Sequence, residues 1–116
     1  MKEQIKALRA LADETRLRIV CLLMGKDRLC VCQIIDALKM KQSTVSKALK
    51  VLKEAGIIED SRKAQWIYYN LNKSGKNPVF WALNSVSKEA AKSDKCISDS
   101  KNLEAWFKTN CKGAKK

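Results

Sequence analysis

Apolar residues recur along this chain at two distinct periods, and the change of period marks out its elements. Over residues 4–12, Ile5, Leu8, Leu11 and Ala12 fall on one face of a helix. Asp13 follows as a side chain able to accept hydrogen bonds from the unpaired backbone donors of the next helix. That helix, residues 14–24, is apolar almost all round through Ile19, Val20, Cys21, Leu22 and Leu23, which predicts a buried central position. Gly25 is expected to end it, since glycine readily takes the left-handed conformation that ends helices. Val31, Ile34, Ile35 and Leu38 then repeat at i, i+3, i+4, i+7, and residues 39–43 form a polar break. A second helix, roughly residues 44–55, carries Val45, Ala48, Leu49 and Leu52 at the same spacing. Two short helices joined by a tight polar turn predict a helix-turn-helix, whose second member enters the DNA major groove.

After Gly56 the period shortens. Residues 57–60 and 66–71 are rich in β-branched and aromatic side chains and bracket the polar residues 61–65, which predicts a two-stranded hairpin. A hairpin directly after a helix-turn-helix is the wing of a winged helix, and its basic tip, Arg62 and Lys63, is placed for phosphates or the minor groove. Residues 73–78 read as a linker with a restart at Asn77 and Pro78. Val79, Phe80, Leu83, Val86 and Ala90 mark a further amphipathic helix. A domain this small has no room to bury two extra apolar faces. Ile5 and Leu8 are therefore expected to meet Val79, Phe80, Leu83 and Val86 across the twofold axis of a homodimer. Residues 93–102 are polar and read as mobile, and Leu103, Trp106 and Phe107 predict a short helix with one apolar face. The expected fold is thus mostly α with a two-stranded β wing, a winged helix-turn-helix dimerising through its N- and C-terminal helices. It comprises a domain over residues 1–92 and a flexible basic tail over 93–116.

Charge sharpens this picture. The 116 residues carry a net charge of +12, which points to a polyanion, nucleic acid before an anionic membrane surface. Five lysines (39, 41, 47, 50 and 53) and no acidic residue lie within residues 39–53, over the reading helix. Gln42, Ser43, Thr44, Ser46, Lys47 and Lys50 are the candidate DNA contacts, at or near its amino-terminal, polar side. No stretch approaches the ~18 consecutive apolar residues of a membrane span, and the amino terminus lacks a signal-peptide core. A cytoplasmic protein with no membrane partner is expected, and reducing conditions there keep thiols free.

Five cysteines and no histidine then define the chemistry. Cys21, four residues after Leu17, reads as a small core hydrophobe. Cys30 and Cys32 flank Val31 at about 100° to either side, off the apolar stripe. In an undistorted helix they diverge by about 200° and cannot grip one ion. They converge if Cys30 precedes the first helical turn, or if binding unwinds that turn. The second route would link ligand binding to the helix that supports the reader. Thiolates select soft ions: trivalent arsenic or antimony, cadmium or lead, and copper(I).

With these residues in place, the chain resembles the ArsR/SmtB family of winged-helix repressors, the arsenical-resistance type in particular. The resemblance rests on Leu11-Ala12-Asp13-Glu14-Thr15-Arg16-Leu17, Leu29-Cys30-Val31-Cys32, residues 43–58 and residues 66–71, and covers roughly residues 5–72. It implies a homodimer on double-stranded operator DNA overlapping its own promoter, with no organic cofactor. It also implies release when As(III) or Sb(III) binds thiolates at this helix. Two departures stand out. The family's third cysteine, three residues after the pair, is Ile35 here, so the third sulfur comes from Cys96 or Cys111. Otherwise the site has two thiols, which suits a methylated trivalent arsenical. The wing tip also has Lys63-Ala64-Gln65 where a glycine is common, which predicts a longer or looser hairpin. A cadmium or lead sensor using Cys30, Cys32, Cys96 and Cys111 is the alternative within the fold, and a redox switch pairing Cys30 with a tail cysteine is another. With no histidine and no glycine-rich phosphate loop, an enzyme is not expected.

Overall fold

Helix α2 (Glu14–Met24) is the axis of the molecule, with Ile19, Val20 and Leu23 wholly enclosed. In this computed structural model the described residues are 1–74 and 77–114, with side chains described through residue 109. The Asp13 carboxylate caps α2 by accepting the backbone N–H of Arg16 at 3.0 Å. Around α2 lie α1 (Lys2–Leu11), β1 (Leu29–Cys30), α3 (Val31–Leu38), α4 (Gln42–Glu54), β2 (Ile58–Lys63), β3 (Trp66–Leu71), α5 (Phe80–Ala90) and α6 (Asp94–Ala114). Ile34 from α3, Leu49 and Leu52 from α4, and Ile57 complete the core, each at 1% exposure or less. Each such side chain contributes about 1.5–3 kcal/mol by leaving water. No helix among the described residues is long and apolar enough to cross a membrane.

Three expectations are refined or corrected. The hairpin wing forms as expected from β2 and β3, and β1 adds a third antiparallel strand to it in the order β1-β3-β2, with Leu29 opposite Tyr69 and Cys30 opposite Tyr68. Two residues are too short to show an alternating pattern, and only β3 beside them makes them a strand. The tip is neither longer nor looser. Pairing runs out to Lys63 opposite Trp66, and Ala64 and Gln65 alone make the turn. Ala64 takes φ 55°, the left-handed region that glycine occupies at lower cost. Replacing it with glycine is therefore expected to raise stability by about 1 kcal/mol. A urea midpoint unchanged or lowered in Ala64→Gly would contradict this.

The third correction concerns the carboxy-terminal region. The expected mobile tail is one helix, α6, packed on α2 and α3. Its inward face is partly polar. Asp99 is 1% exposed and accepts from Arg18 through both oxygens, at 2.7 and 2.8 Å, while Leu103 and Cys96 are buried beside it. The amphipathic spacing of Leu103, Trp106 and Phe107 marks only the later part of this helix, because its first turns bury a carboxylate against a partner 81 residues away. The apolar face assigned to dimerisation also divides. Val79 and Leu83 are spent inside the subunit, whereas Ile5, Leu8, Phe80 and Val86 stay exposed, together with Trp81 at 81%.

Candidate thiol site and nucleic-acid interface

Cys30 ends β1 in an extended conformation (φ −75°, ψ 150°) and serves as N-cap of α3. The Gln33 side-chain oxygen accepts the Cys30 backbone N–H at 2.6 Å, which fixes the strand-to-helix corner. Because Cys30 stands ahead of the first helical turn, the two sulfurs do not diverge. Cys30 Sγ and Cys32 Sγ lie 2.8 Å apart. Of the two routes to convergence, the fold uses the one that needs no unwinding. Cys30 is buried and Cys32 half-buried. Burial, and then the neighbouring Cys30 sulfur, push the Cys32 thiol up to about 12, against backbone N–H donors at the helix start that pull it down. Cys32 is therefore protonated at neutral pH and ionises only when something replaces its proton. Sulfur is the donor type that soft ions select, and the fold brings two such donors to one corner.

The other sulfurs are distributed differently. Ile35 packs against the core at the position where the third cysteine of the pattern would fall. Cys96 is buried at the α2–α6 seam, where it lines a cavity with Leu17 and Arg18 of α2. The side chain of Cys111 lies outside the described residues. Among the described residues, no group of three or more His, Cys, Asp or Glu is arranged to hold a metal ion. The Arg28 guanidinium stacks over the Tyr68 ring at 4.3 Å, and Tyr68 is the strand partner of Cys30, so a cation flanks the thiol corner. Sequence reasoning missed Arg28, because cross-strand register alone brings it there.

Helix α6 has a defined direction. Lys95 pairs with Glu14, Asp99 with Arg18, and Lys26 lies over the Phe107 ring at 5.2 Å, so α6 runs parallel to α2. Asn102 donates to the Ala37 carbonyl oxygen at 2.8 Å, in the last turn of α3. Five residues further on, Phe107 has reached the segment that leads into β1 and Cys30.

The candidate nucleic-acid face is built from α4. Lys39 closes α3 with φ 55°, and Lys41 is the N-cap of α4, so only residues 39–41 separate the two helices. Val45, Ala48, Leu49 and Leu52 point into the core, which turns Gln42, Ser43, Thr44, Ser46, Lys47 and Lys50 outward, all of them exposed. Arg62 and Lys63 are likewise exposed at the end of β2. Lys53 pairs with Asp60 at 3.0 Å and ties the end of α4 to the wing. A cleft of about 250 Å³ between α2 and α4 is lined by Thr15 and Arg16 together with Ser43, Thr44 and Lys47. Thr15 and Arg16 were not expected from the sequence, where they are merely the start of the central helix.

Residues 13–60 match the family described as bacterial regulatory protein, arsR family. The chain is similar to the arsenic resistance transcriptional regulator ArsR1 of Pseudomonas putida, 45% identical over 64 residues, which are 55% of this chain and 50% of that protein. The chain thus spans about half the length of that relative. It is 35% identical over 72 residues to the arsenical resistance operon repressor of Bacillus subtilis, covering 62% of this chain and 69% of that one. Among solved structures it is similar to a homodimeric winged helix-turn-helix DNA-binding domain from Mycobacterium bovis, described as a possible ArsR-family transcriptional regulator. That likeness has a TM-score of 0.64 at 27% identity, over 79% of this chain and 83% of that one.

Proposed function

This chain belongs to the ArsR family of bacterial regulatory proteins, and we propose from that footing that it is a homodimeric operator-binding repressor released by trivalent arsenic or antimony. The observation that carries the reading is the 2.8 Å approach of Cys30 Sγ and Cys32 Sγ at the N-cap of α3, one helix ahead of the reading helix. A ligand bound there pulls on the strand-to-helix corner. Since α3 and α4 share one core and are joined by three residues, a shift of α3 is passed to α4 as a rigid-body displacement.

The third sulfur is assigned to Cys111. Cys96 is engaged at α2, whereas α6 is directed from the last turn of α3 toward the Cys30 end. From Asn102 to Cys111 is nine residues, about 13 Å of helix, and from Ala37 back to Cys30 is about 10 Å. Arsenite then condenses with three thiols. Three As–O bonds break, three As–S bonds form, and each thiol proton leaves with a hydroxide as water, with no change of oxidation state.

On DNA, Lys47 and Lys50 supply backbone charge, Gln42, Ser43, Thr44 and Ser46 meet base edges, and Arg62 and Lys63 anchor the wing. Ile5, Leu8, Phe80 and Val86 supply the exposed apolar surface for the second subunit, with Val79 and Leu83 supporting it from inside. Fluorescence anisotropy on a duplex from the promoter of its own gene, under reducing conditions with arsenite titrated in, tests the proposal. Arsenite that leaves the complex intact would refute it. Lys47→Ala is expected to weaken binding evenly across sequences and to reduce the salt slope by about 1. Affinity unchanged at moderate salt would rule out this docking.

A further inference from the structure

A groove of about 480 Å³ runs between α1 and the last two turns of α4, away from the thiol corner. Its floor is apolar. Ile5 of α1 and Val51 of α4 line it while remaining 43% and 37% exposed, and the buried Ala10 and Ala55 close its base. Its rim is cationic. Lys2, Lys6 and Arg9 stand at i, i+4 and i+7, so one side of α1 presents all three, and each is exposed. None of the three is in a salt bridge among the described residues, and the neighbouring Glu3 is paired with the Met1 ammonium at 4.0 Å. Arg16 is a fixed wall of the groove. Its Nε donates to the Ala10 carbonyl oxygen at 2.5 Å, which ties the end of α1 to α2.

We propose that this groove binds an amphipathic organic monoanion, a carboxylate on an unbranched apolar chain. The chain lies on the Ile5–Val51 floor and the carboxylate sits among Lys2, Lys6 and Arg9. This site uses no thiol and stands or falls without the metalloid reading.

Three observations select this ligand class. The first is unsatisfied charge. Four cations line the groove against one carboxylate, Glu54, and like charges at i, i+4, such as Lys2 and Lys6, repel along a helix. The second is apolar surface left in water. Covering Ile5 and Val51 is favourable in proportion to the area removed from solvent. A phosphate or a nucleic-acid backbone would meet the cations and leave that floor wet, whereas an alkyl carboxylate satisfies both at once. The third is size. Sites for whole organic ligands measure about 300–1,000 Å³, and an apolar cavity of about 150 Å³ already accepts benzene, so the groove suits a chain of roughly ten carbons. Leu8, which the second subunit is proposed to cover, does not line the groove, so the two surfaces adjoin at Ile5. Because Val51 and Ala55 lie at the end of α4, an occupant also touches the reading helix.

The test is isothermal titration calorimetry on the full chain with decanoate, and with decyltrimethylammonium as the same chain bearing the opposite charge. One decanoate per chain is expected, with the cationic amphiphile weaker by about tenfold or more. The double variant Lys6→Gln with Arg9→Gln should weaken decanoate about tenfold, and Glu54→Gln should tighten it about threefold, because each exposed charge pair contributes a factor of about 1.4–5. All three side chains are exposed, so these substitutions leave the core untouched. Opposite signs at the two kinds of rim residue support the site. Absence of saturable binding, as when a second subunit seals the groove, overturns the proposal. So does equal affinity for the two amphiphiles, or decanoate affinity indifferent to the double variant, which is the result expected of adsorption to the exposed Trp81 face.

Discussion

Arsenite is expected to leave the Cys30→Ser and Cys32→Ser variants on their operator at concentrations that strip the unaltered protein from it. Two sulfurs on one corner make the second As–S bond intramolecular, an advantage of about 10²–10⁴ in affinity that either substitution removes. Folding does not confound the result at Cys30. Serine is among the best N-cap residues, and Gln33 already accepts the Cys30 backbone N–H, so Cys30→Ser completes a serine–glutamine capping box. Its operator affinity without arsenite should match the unaltered protein, and anisotropy with and without arsenite measures both quantities. Release that survives both substitutions would place the metalloid elsewhere.

The pH dependence separates the candidate ions. Cys32 holds its proton to about 12. A cadmium ion must displace that proton into solvent, so its apparent affinity rises about tenfold per pH unit for each thiol that ionises on binding. Arsenite removes the same proton as water, and its affinity should be nearly level between pH 6 and 8. Equal slopes for the two ions would contradict a protonated Cys32.

Breaking the Arg18–Asp99 pair is the second large expected effect. Arg18 has 12% and Asp99 2% of its side chain exposed, and Asp99 hydrogen bonds hold the guanidinium above its usual pKa. Asp99→Ala leaves the cation at the α2–α6 seam with only its longer contacts to Glu14 at 3.9 Å and the Leu38 carbonyl oxygen at 3.4 Å, and should cost about 3 kcal/mol. That is a large share of the roughly 5–15 kcal/mol that keeps a domain folded. The double variant Arg18→Met with Asp99→Leu should return most of it, because an apolar pair of similar size carries no desolvation penalty. Urea denaturation of the three proteins reads this directly, and a single-variant loss under 1 kcal/mol would show that the seam tolerates the lone charge. Asp99→Ala should also loosen α6 and weaken arsenite binding while leaving Cys30 and Cys32 in place, since it unlatches the helix that carries Cys111.

The same residues show where local information stops. The helices from α1 to α5, the break at residues 39–41 and the hairpin were legible because each is encoded within one or two turns of chain. Apolar spacing, Asp13 as a cap and the largely aromatic run before Asn70 act on neighbours. The sequence by itself therefore determined the winged helix-turn-helix, its basic outward face, and a cysteine pair at the start of α3. Only tertiary structure decided how that pair is arranged. Residues 29 and 30 become a strand because Tyr68 and Tyr69 lie beside them, and that pairing holds Cys30 ahead of the helix and turns its sulfur toward Cys32. Likewise Asp99 and Asn102 look like the surface of a mobile tail until Arg18 and the Ala37 carbonyl, 81 and 65 residues away, meet them. A buried polar group is stable only through its partner, and a partner that distant in the chain leaves no trace in local periodicity.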